Sequence, residues 1–473
     1  MGEAPVIWWI RRDFRLAENP ALTAAVESGV PVIPVFLFDE ALEELKTAPA
    51  WRTGLGLEVL AGALEAAGSR LILRRGKALP TLRKLIEETG ATSVHWNRLY
   101  DPTAIARDKE VKAGLKEDGV EARSHHAHVL FEPWTVETGT GGFYKVYSPF
   151  WRAVRDRDVA KPEKAPSTIA APSGWPESDS LDDWKLGAGM RRGAEVVRPH
   201  LLLGETAARD RLHTFVEEKI GSYKADRNQL DLDATSGLSE PLTYGEIGPC
   251  TVWYAGAKAM SEGKSGAEHF LKELVWRDFA HHLIFHTPQI THANWREEWD
   301  SFPWTDDRRL KEIRDWERGV TGEPVIDAAM REMYVTGRMH NRARMLVASY
   351  LTKHLMVHWK IGLEWFEDCL VDWDPASNAM GWQWTAGSGP DAAPYFRIFN
   401  PETQAEKFDP DGAYRARWIA EGYDDPTDTA LSYFDAIPES WGMSPDDPYP
   451  GEPIVDLSEG RKRALAAYEA RGD

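Results

Sequence analysis

The sequence predicts two structural classes in succession, an α/β domain built on a parallel sheet and then an all-helical domain. Three observations predict it. Over residues 1–132 short apolar runs alternate with amphipathic stretches, beyond Glu205 the periodicity is almost wholly helical, and between them Lys161 to Pro199 is rich in Pro, Ser, Gly and Asp. Strands separated by helical stretches make a parallel sheet with crossover helices, and a long run of breakers makes an irregular connector. A chain of 473 residues is long enough to bury two cores. The expected boundaries are 1–132 for the α/β domain, 133–204 for the connector and 205–473 for the helical domain.

Taken in order, Val6–Ile10, Val32–Phe38, Leu71–Leu73 and Ser93–Trp96 read as buried strands, because each is a short apolar run bounded by breakers. Leu55–Ala67 reads as a crossover helix, and His125, His126 and His128 mark the end of a further strand. In the helical part, Ser265-Gly266, Gly319–Gly322 and Asp374-Pro375 are the stops and starts.

Composition excludes several classes of protein. Cys250 and Cys369 are the only cysteines, too few for a disulfide scaffold or a cysteine-rich metal site, and they fit a reducing, cytoplasmic compartment. The apolar run Pro5–Ile10 stops at Arg11, Arg12 and Asp13, so the expectation is no signal peptide and no membrane association. No G-x-G-x-x-G follows the first strand and no Walker-type loop is present, which argues against nicotinamide or nucleotide-hydrolysing chemistry. His354 and His358 have i, i+4 spacing but no third ligand at a recognised distance, so no metal is expected. A net charge of −19 means that any nucleic-acid partner needs a locally basic face.

Three segments carry chemistry. In FLKELVWRDF, residues 270–279, Glu273, Trp276 and Arg277 share one helical face, a carboxylate, an indole and a guanidinium side by side. In GRMHNRARM, residues 337–345, Asn341, Arg344 and Met345 share another, with Arg338 and Arg342 adding positive charge. The third, DWDPASNAMGWQWTAGSGPDAAPYFRIFNP at 372–401, combines acids, an amide, two tryptophans and Arg397 in a segment too polar for a simple core.

Together with WIRRDFRLAENPAL at residues 9–22, these segments resemble the photolyase and cryptochrome family, over nearly the whole chain. The resemblance implies a Rossmann-like α/β antenna domain followed by a helical FAD-binding catalytic domain. It matches Tyr223 and the TSGLS loop, Thr235, Ser236, Gly237, Leu238 and Ser239, to the clamp on the flavin pyrophosphate. Arg344 and Asp372 match the ion pair beside the flavin ring, Trp373 and Asp374 further contacts, and Asn378 the amide facing the reactive ring nitrogen. Asparagine at that position is typical of the repair enzymes. Glu273, Trp276, Asn341, Met345 and Trp384 match the lesion pocket of the enzymes that split cyclobutane dimers, where indoles and an apolar wedge hold a flipped base pair and the acid and amide bond its polar edges. Met345 stands where the six-four enzymes typically carry a histidine. Trp382, Trp359 and Trp304 match the electron-transfer chain, with Trp295, Trp299 and Trp316 as alternatives for its outer member. Arg227, Arg277, Arg342, Arg397 and Gln404 are the DNA-binding candidates.

The resemblance therefore implies light-driven repair of cyclobutane pyrimidine dimers in single- or double-stranded UV-damaged DNA by a monomeric deoxyribodipyrimidine photolyase. The alternatives are a cryptochrome-like blue-light receptor, which the absence of a long C-terminal tail disfavours, and a six-four photolyase. The implied cofactors are FAD and an antenna chromophore, methenyltetrahydrofolate favoured over a deazaflavin. Ala104 stands where the classical folate-binding enzymes carry Glu, and Arg338 replaces the Trp usual in its motif.

Overall fold

The computed structural model describes residues 3–392 and 396–471, so residues 393–395 of the third motif lie outside the described residues. Packing divides the chain into two compact units. The first comprises Met1–Ala188, Leu202–Lys224 and Ser236–Pro288; the second comprises Gly189–Leu201, Ala225–Thr235 and Gln289–Asp473. The boundaries expected at 132 and 204 follow the type of secondary structure, whereas these units follow packing, and the helices Pro249–Ser261 and Ala267–His286 fall in the unit of the sheet.

That sheet has five strands, β1 Val6–Ile10, β2 Val32–Phe38, β3 Ile72–Arg75, β4 Ser93–Asn97 and β5 Glu121–His125, in the order β3-β2-β1-β4-β5. Every pairing is parallel. Side chains alternate across β1: Val6, Trp8 and Ile10 enter one buried cluster with Phe36 and Leu73, while Ile7 and Trp9 enter another with Val35, Ile72 and Trp96. Both faces are thus covered, as a parallel sheet with crossovers requires. The histidine run does mark a strand end, since β5 stops at His125. Among the described residues β5 is the last strand of the chain.

The WIRRDFRLAENPAL segment forms the end of β1 and the turn after it. Arg15, almost fully buried, donates to the Glu18, Gly245 and Ala127 carbonyls. Asn19 caps the helix Pro20–Glu27 by accepting from the Leu22 N–H. Glu18 adopts φ 50°, and its carboxylate accepts from the N–H groups of Cys250 and Thr251 at the start of Pro249–Ser261. The irregular connector is pinned rather than loose: the Val32 N–H donates to Ala170, Ile169 to Ala67 and Asp179 to Leu73. Inside the same stretch lies the helix Tyr147–Val154, which apolar patterning did not reveal.

The second unit is helical. Its core gathers around Pro324–Thr336, Asn341–Ser349, Trp359–Cys369 and Pro375–Ala386. Inside it lie a buried ion pair between Arg331 and Glu421 and a buried Asp327, which accepts from Thr321, Gly322 and Tyr449. No described helix is long and apolar enough to cross a membrane.

Candidate functional site

Each unit carries part of the predicted residue set. In the first unit, the helix Ala267–His286 buries Leu274, Val275 and Asp278 and leaves Glu273, Trp276 and Arg277 partly exposed, which is the shared face the spacing predicts. Trp276 is covered on one side by Tyr147, whose ring lies parallel to it at 3.8 Å, and the Tyr147 hydroxyl donates to the Lys272 carbonyl one turn earlier at 2.6 Å. Arg277 is committed inward. Its guanidinium donates to the His128 carbonyl at 2.5 Å and to the Leu242 carbonyl at 3.3 Å, and lies 3.0 Å from a ring nitrogen of His128. Burial first, and then this cation, push the His128 imidazolium well below its ordinary range. The DNA-binding expectation for Arg277 thus meets a side chain that holds two segments of its own backbone.

Tyr223 is buried edge-on against Phe215 and Phe270. In the loop that follows, Gly237 has φ +64°, a conformation open to glycine at little cost. The Ser236 carbonyl accepts from Arg211 at 2.8 Å, and a Cβ on Gly237 would come 3.2 Å from that guanidinium. Arg211 escaped the sequence reading because nothing in its own helix, Gly204–Thr214, distinguishes it from the neighbouring Arg209.

In the second unit, His340 caps the helix Asn341–Ser349, whose first two turns bury Ala343 and Leu346 and leave Asn341, Arg344 and Met345 at least partly exposed. Arg344 pairs with the buried Asp372, its Nη2 lying 2.9 and 2.8 Å from the two carboxylate oxygens, while its Nε donates to the Met339 carbonyl. Asp374 caps the next helix, Pro375–Ala386, by accepting from the Ser377 N–H at 2.8 Å, at the Asp374-Pro375 helix start that the sequence marks. The Asn378 amide donates to the Leu363 carbonyl at 3.1 Å. Trp373 packs against the helical core. Arg338, the residue that departs from the family motif, donates to the His200 carbonyl and so ties down the segment Gly189–Leu201.

Trp382 and Trp359 are buried, and Trp304 is half-buried. A Cβ on Gly362, one turn beyond Trp359, would lie 2.0 Å from the Trp382 ring, so Trp382 rests on the helical turn that carries Trp359. Trp359 donates to Asn294 at 2.7 Å, and Trp304 donates to the Thr352 carbonyl at 2.8 Å. The His358 ring lies 5.3 Å from Trp304 and 5.4 Å from Trp359. Trp316 meets Trp382 edge-on at 6.2 Å but is wholly buried. Gln383, unremarked in the sequence, bonds the Ile290 and Ala293 carbonyls and accepts from the Trp295 N–H, fixing a loop against the turn between Trp382 and Trp384. His354 and His358 do not share a helical face. The π-helical turn Tyr350–His354 ends the helix, Met356 takes φ 56°, and His358 caps the next one.

The cationic candidates repel one another. Burial, then Arg227 and Arg397, lower the Arg342 guanidinium below its ordinary range, and burial with Arg342, Arg227 and Arg344 lowers His340 to about 4. Arg342 donates to Asn228 at 2.8 Å and lies over the Phe408 ring. Gln404, in the helix Pro401–Phe408, has a buried Oε1 with no hydrogen-bond partner among the described residues.

Comparison with known proteins decides the family. A model of DNA photolyase matches residues 6–168, and a model of the FAD binding domain of DNA photolyase matches residues 270–470. The chain belongs to the DNA photolyase family. It is 45% identical to a deoxyribodipyrimidine photo-lyase of Agrobacterium fabrum, over 99% of this chain and 98% of the relative. A crystal structure of a bacterial class III photolyase from Agrobacterium tumefaciens superimposes with a TM-score of 0.91 at 44% identity, covering 100% of this chain and 98% of the other. Cryptochrome-2 of Arabidopsis thaliana is 31% identical over 96% of this chain and 77% of its own length.

The residues fit the cofactor of this family. The hydroxyls of Thr235, Ser236 and Ser239, on a glycine-containing loop held by Arg211, supply donors suited to a diphosphate. The half-exposed Arg344, held by a buried carboxylate, supplies a fixed donor for the polar edge of a flavin.

Proposed function

We propose that this chain is a deoxyribodipyrimidine photolyase, a carbon–carbon lyase that uses blue light to split cyclobutane pyrimidine dimers in UV-damaged DNA. The observation that carries the proposal is the helix Asn341–Ser349, whose first two turns present Asn341 and Met345 beside Arg344, already locked to Asp372 at 2.8 Å. Residues assigned to lesion and to flavin thus share one rigid element, which suits transfer over a short fixed distance. Reduced FAD, which Tyr223, Thr235 to Ser239 and Arg344 would hold, would supply light-driven one-electron donation with return of the electron, so that opening the cyclobutane ring would involve no net oxidation.

The chain's own residues bind and orient. Glu273 and Asn341 serve as hydrogen-bonding groups for the pyrimidine edges, Trp276 and Trp384 as stacking planes, and Met345 as an apolar wedge. Stacking is worth about 1–3 kcal/mol per base, comparable with the few kcal/mol that extrusion costs, and a damaged pair is cheaper to extrude. Tyr223 and Thr235 to Ser239 hold the pyrophosphate, while Arg344, Asp372, Trp373, Asp374 and Asn378 surround the ring. Trp382, Trp359 and Trp304 carry electrons inward, and the partial exposure of Trp304 supports its place at the outer end. Arg227, Arg342 and Arg397 meet DNA phosphates, supported by their mutual repulsion, which an anion relieves. Gln404 adds a contact, and Arg277 acts mainly by fixing its own backbone.

The finer assignments are of the same kind. Residues 1–132 form the antenna domain, 133–204 the connector and 205–473 the catalytic domain, and methenyltetrahydrofolate is favoured over a deazaflavin as the antenna. The protein acts as a monomer on single- or double-stranded DNA in the cytoplasm, which its two free cysteines suit. A visible spectrum of the holoprotein separates the two antenna candidates. To test the activity, photoreduced protein is illuminated with a dimer-containing oligonucleotide and restored thymines are counted. Repair in the light alone is expected; no turnover with reduced FAD bound overturns the proposal.

A further inference from the structure

Arg52 lies in the helix Thr47–Ala66 and has no exposed surface. Its Nε donates to Glu240 at 2.5 Å, and its Nη2 donates to Glu246 at 2.6 Å and to the Leu202 carbonyl at 2.7 Å. Both carboxylates are as fully enclosed as the guanidinium. The cation also lies over the Tyr244 ring, 4.6 Å from its centre. All of these residues belong to the first unit. One cation is thus shared by two buried acids, and burial, with Glu240 beside it, raises the Glu246 pKa against the pull of Arg52. Buried charges are tolerated when partners repay the lost hydration, and removing one partner strands the others. A planar guanidinium with donors at fixed angles holds two carboxylates in one geometry, which a lysine ammonium does not reproduce.

Glu240 and Glu246 bracket a short helix, Ser239–Tyr244, that begins at the last residue of the TSGLS loop. Gly245, at φ +66°, reverses the chain behind it, so that Glu246 returns to the same guanidinium as Glu240. The far end of the helix is fixed as well. The Tyr244 carbonyl accepts from the Phe14 N–H at 3.1 Å, the Gly245 carbonyl accepts from Arg15 at 2.8 Å, and a Cβ on Gly245 would lie 2.1 Å from the Arg12 carbonyl oxygen. The helix is therefore tied at one end to the turn after β1 and along its flank to Arg52. Ser239 directly precedes Glu240, so a shift of Glu240 carries the Ser239 hydroxyl with it.

We propose that Arg52 is a positioning residue for the flavin diphosphate: by holding Glu240 and Glu246 together it sets where the Ser239 hydroxyl meets the phosphate oxygens. Fully enclosed, it acts through Glu240 rather than on the cofactor. The inference rests on the assignment of the TSGLS loop to the diphosphate.

The experiment compares the FAD-loaded wild type, Arg52→Lys and Ser239→Ala by phosphorus NMR of the bound diphosphate, by the rate of FAD release on dilution, by the flavin absorption bands and by the denaturation midpoint. Arg52→Lys keeps the charge and loses the span between the two carboxylates. It is expected to displace the phosphorus resonances and to speed FAD release about tenfold, the worth of one charge-assisted hydrogen bond, with the flavin absorption bands unchanged. Ser239→Ala is expected to displace the same resonances. Wild-type resonances and release in folded Arg52→Lys, whatever its midpoint, overturn the positioning role and leave a structural ion pair. Displaced resonances accompanied by shifted absorption bands overturn it too, because they report general loosening. If Ser239→Ala leaves the resonances unmoved while Arg52→Lys displaces them, the loop assignment falls and the route through Ser239 falls with it. Should Arg52→Lys fail to fold, Glu240→Gln, which keeps the shape of the side chain and loses its charge, decides by the same readouts.

Discussion

The Tyr147 ring lies face to face with Trp276, centroids 3.8 Å apart and planes 9° from parallel. Its hydroxyl grips the Lys272 carbonyl on the same helix, and Phe279 meets both rings edge-on, so the indole is held between two neighbouring rings. An aromatic pair of this kind is worth about 0.5–1.5 kcal/mol beyond its buried area. Tyr147→Ala is therefore expected to weaken binding of dimer-containing DNA about threefold to tenfold, with little change for undamaged DNA. Tyr147→Phe keeps the stack and should rescue most of the loss. Equal weakening for damaged and undamaged DNA counts against this positioning role.

Trp382 rests on Gly362. Trp382→Phe should slow photoreduction of the flavin yet spare repair once the flavin has been reduced chemically; equal loss of both refutes the electron-transfer assignment. Gly362→Ala places a methyl about where the Trp382 ring lies, 2.0 Å from its nearest atom. Overpacking of that kind costs about 1–3 kcal/mol, and slowed photoreduction should accompany a lower denaturation midpoint.

The Asp372 side chain is 2% exposed and that of Arg344 is 28% exposed. Asp372→Ala leaves the guanidinium with the Met339 carbonyl as a remaining acceptor, a cost of about 1–3 kcal/mol that solvent at Arg344 partly relieves. The expected result is a lower ratio of flavin to protein absorbance in the purified chain. Full FAD occupancy in this variant would remove Asp372 from the cofactor site.

Lys353 gives stability a pH dependence whose sign can be fixed. In the fold its pKa is lowered from 10.5 to about 7 by burial and Arg397, while the adjacent His354, itself lowered to about 4 by burial, Lys353 and Arg463, is neutral over this range. Between those values the unfolded chain holds a proton that the folded chain does not, so this residue's contribution to stability rises with pH from about 7 toward 10.5 and is least favourable below 7. Denaturant midpoints at pH 6.5 and pH 9 should show Lys353→Met gaining on the wild type at the lower pH and losing that advantage at the higher. An identical difference at both values contradicts the shift.

Legibility of the site varied with the range of the interactions involved. Glu273, Trp276 and Arg277 emerged on one face, and so did Asn341, Arg344 and Met345, because helical spacing alone decides that. The exposed, polar strand Glu121–His125 lacked the apolar run that revealed the other four, and only its histidine end was visible. The His354–His358 spacing suggested a common face that the π-helical turn removes. Tyr147 could not have been chosen from sequence, since the ring it orders lies 129 residues away and its own helix sits in a stretch that reads as a connector.

By itself the sequence determined the order of α/β and helical structure, the positions of most strands and the family, because periodicity and short motifs are local properties that survive without knowledge of the fold. Tertiary structure alone decided which of many similar side chains are committed to the scaffold. Arg277 holds backbone of distant segments, Arg344 is held by a carboxylate, and Lys353 is buried with none beside it among the described residues. The reason is physical: the character of a charged group is set by its distance to partners and its separation from water, and both depend on residues that only folding brings near.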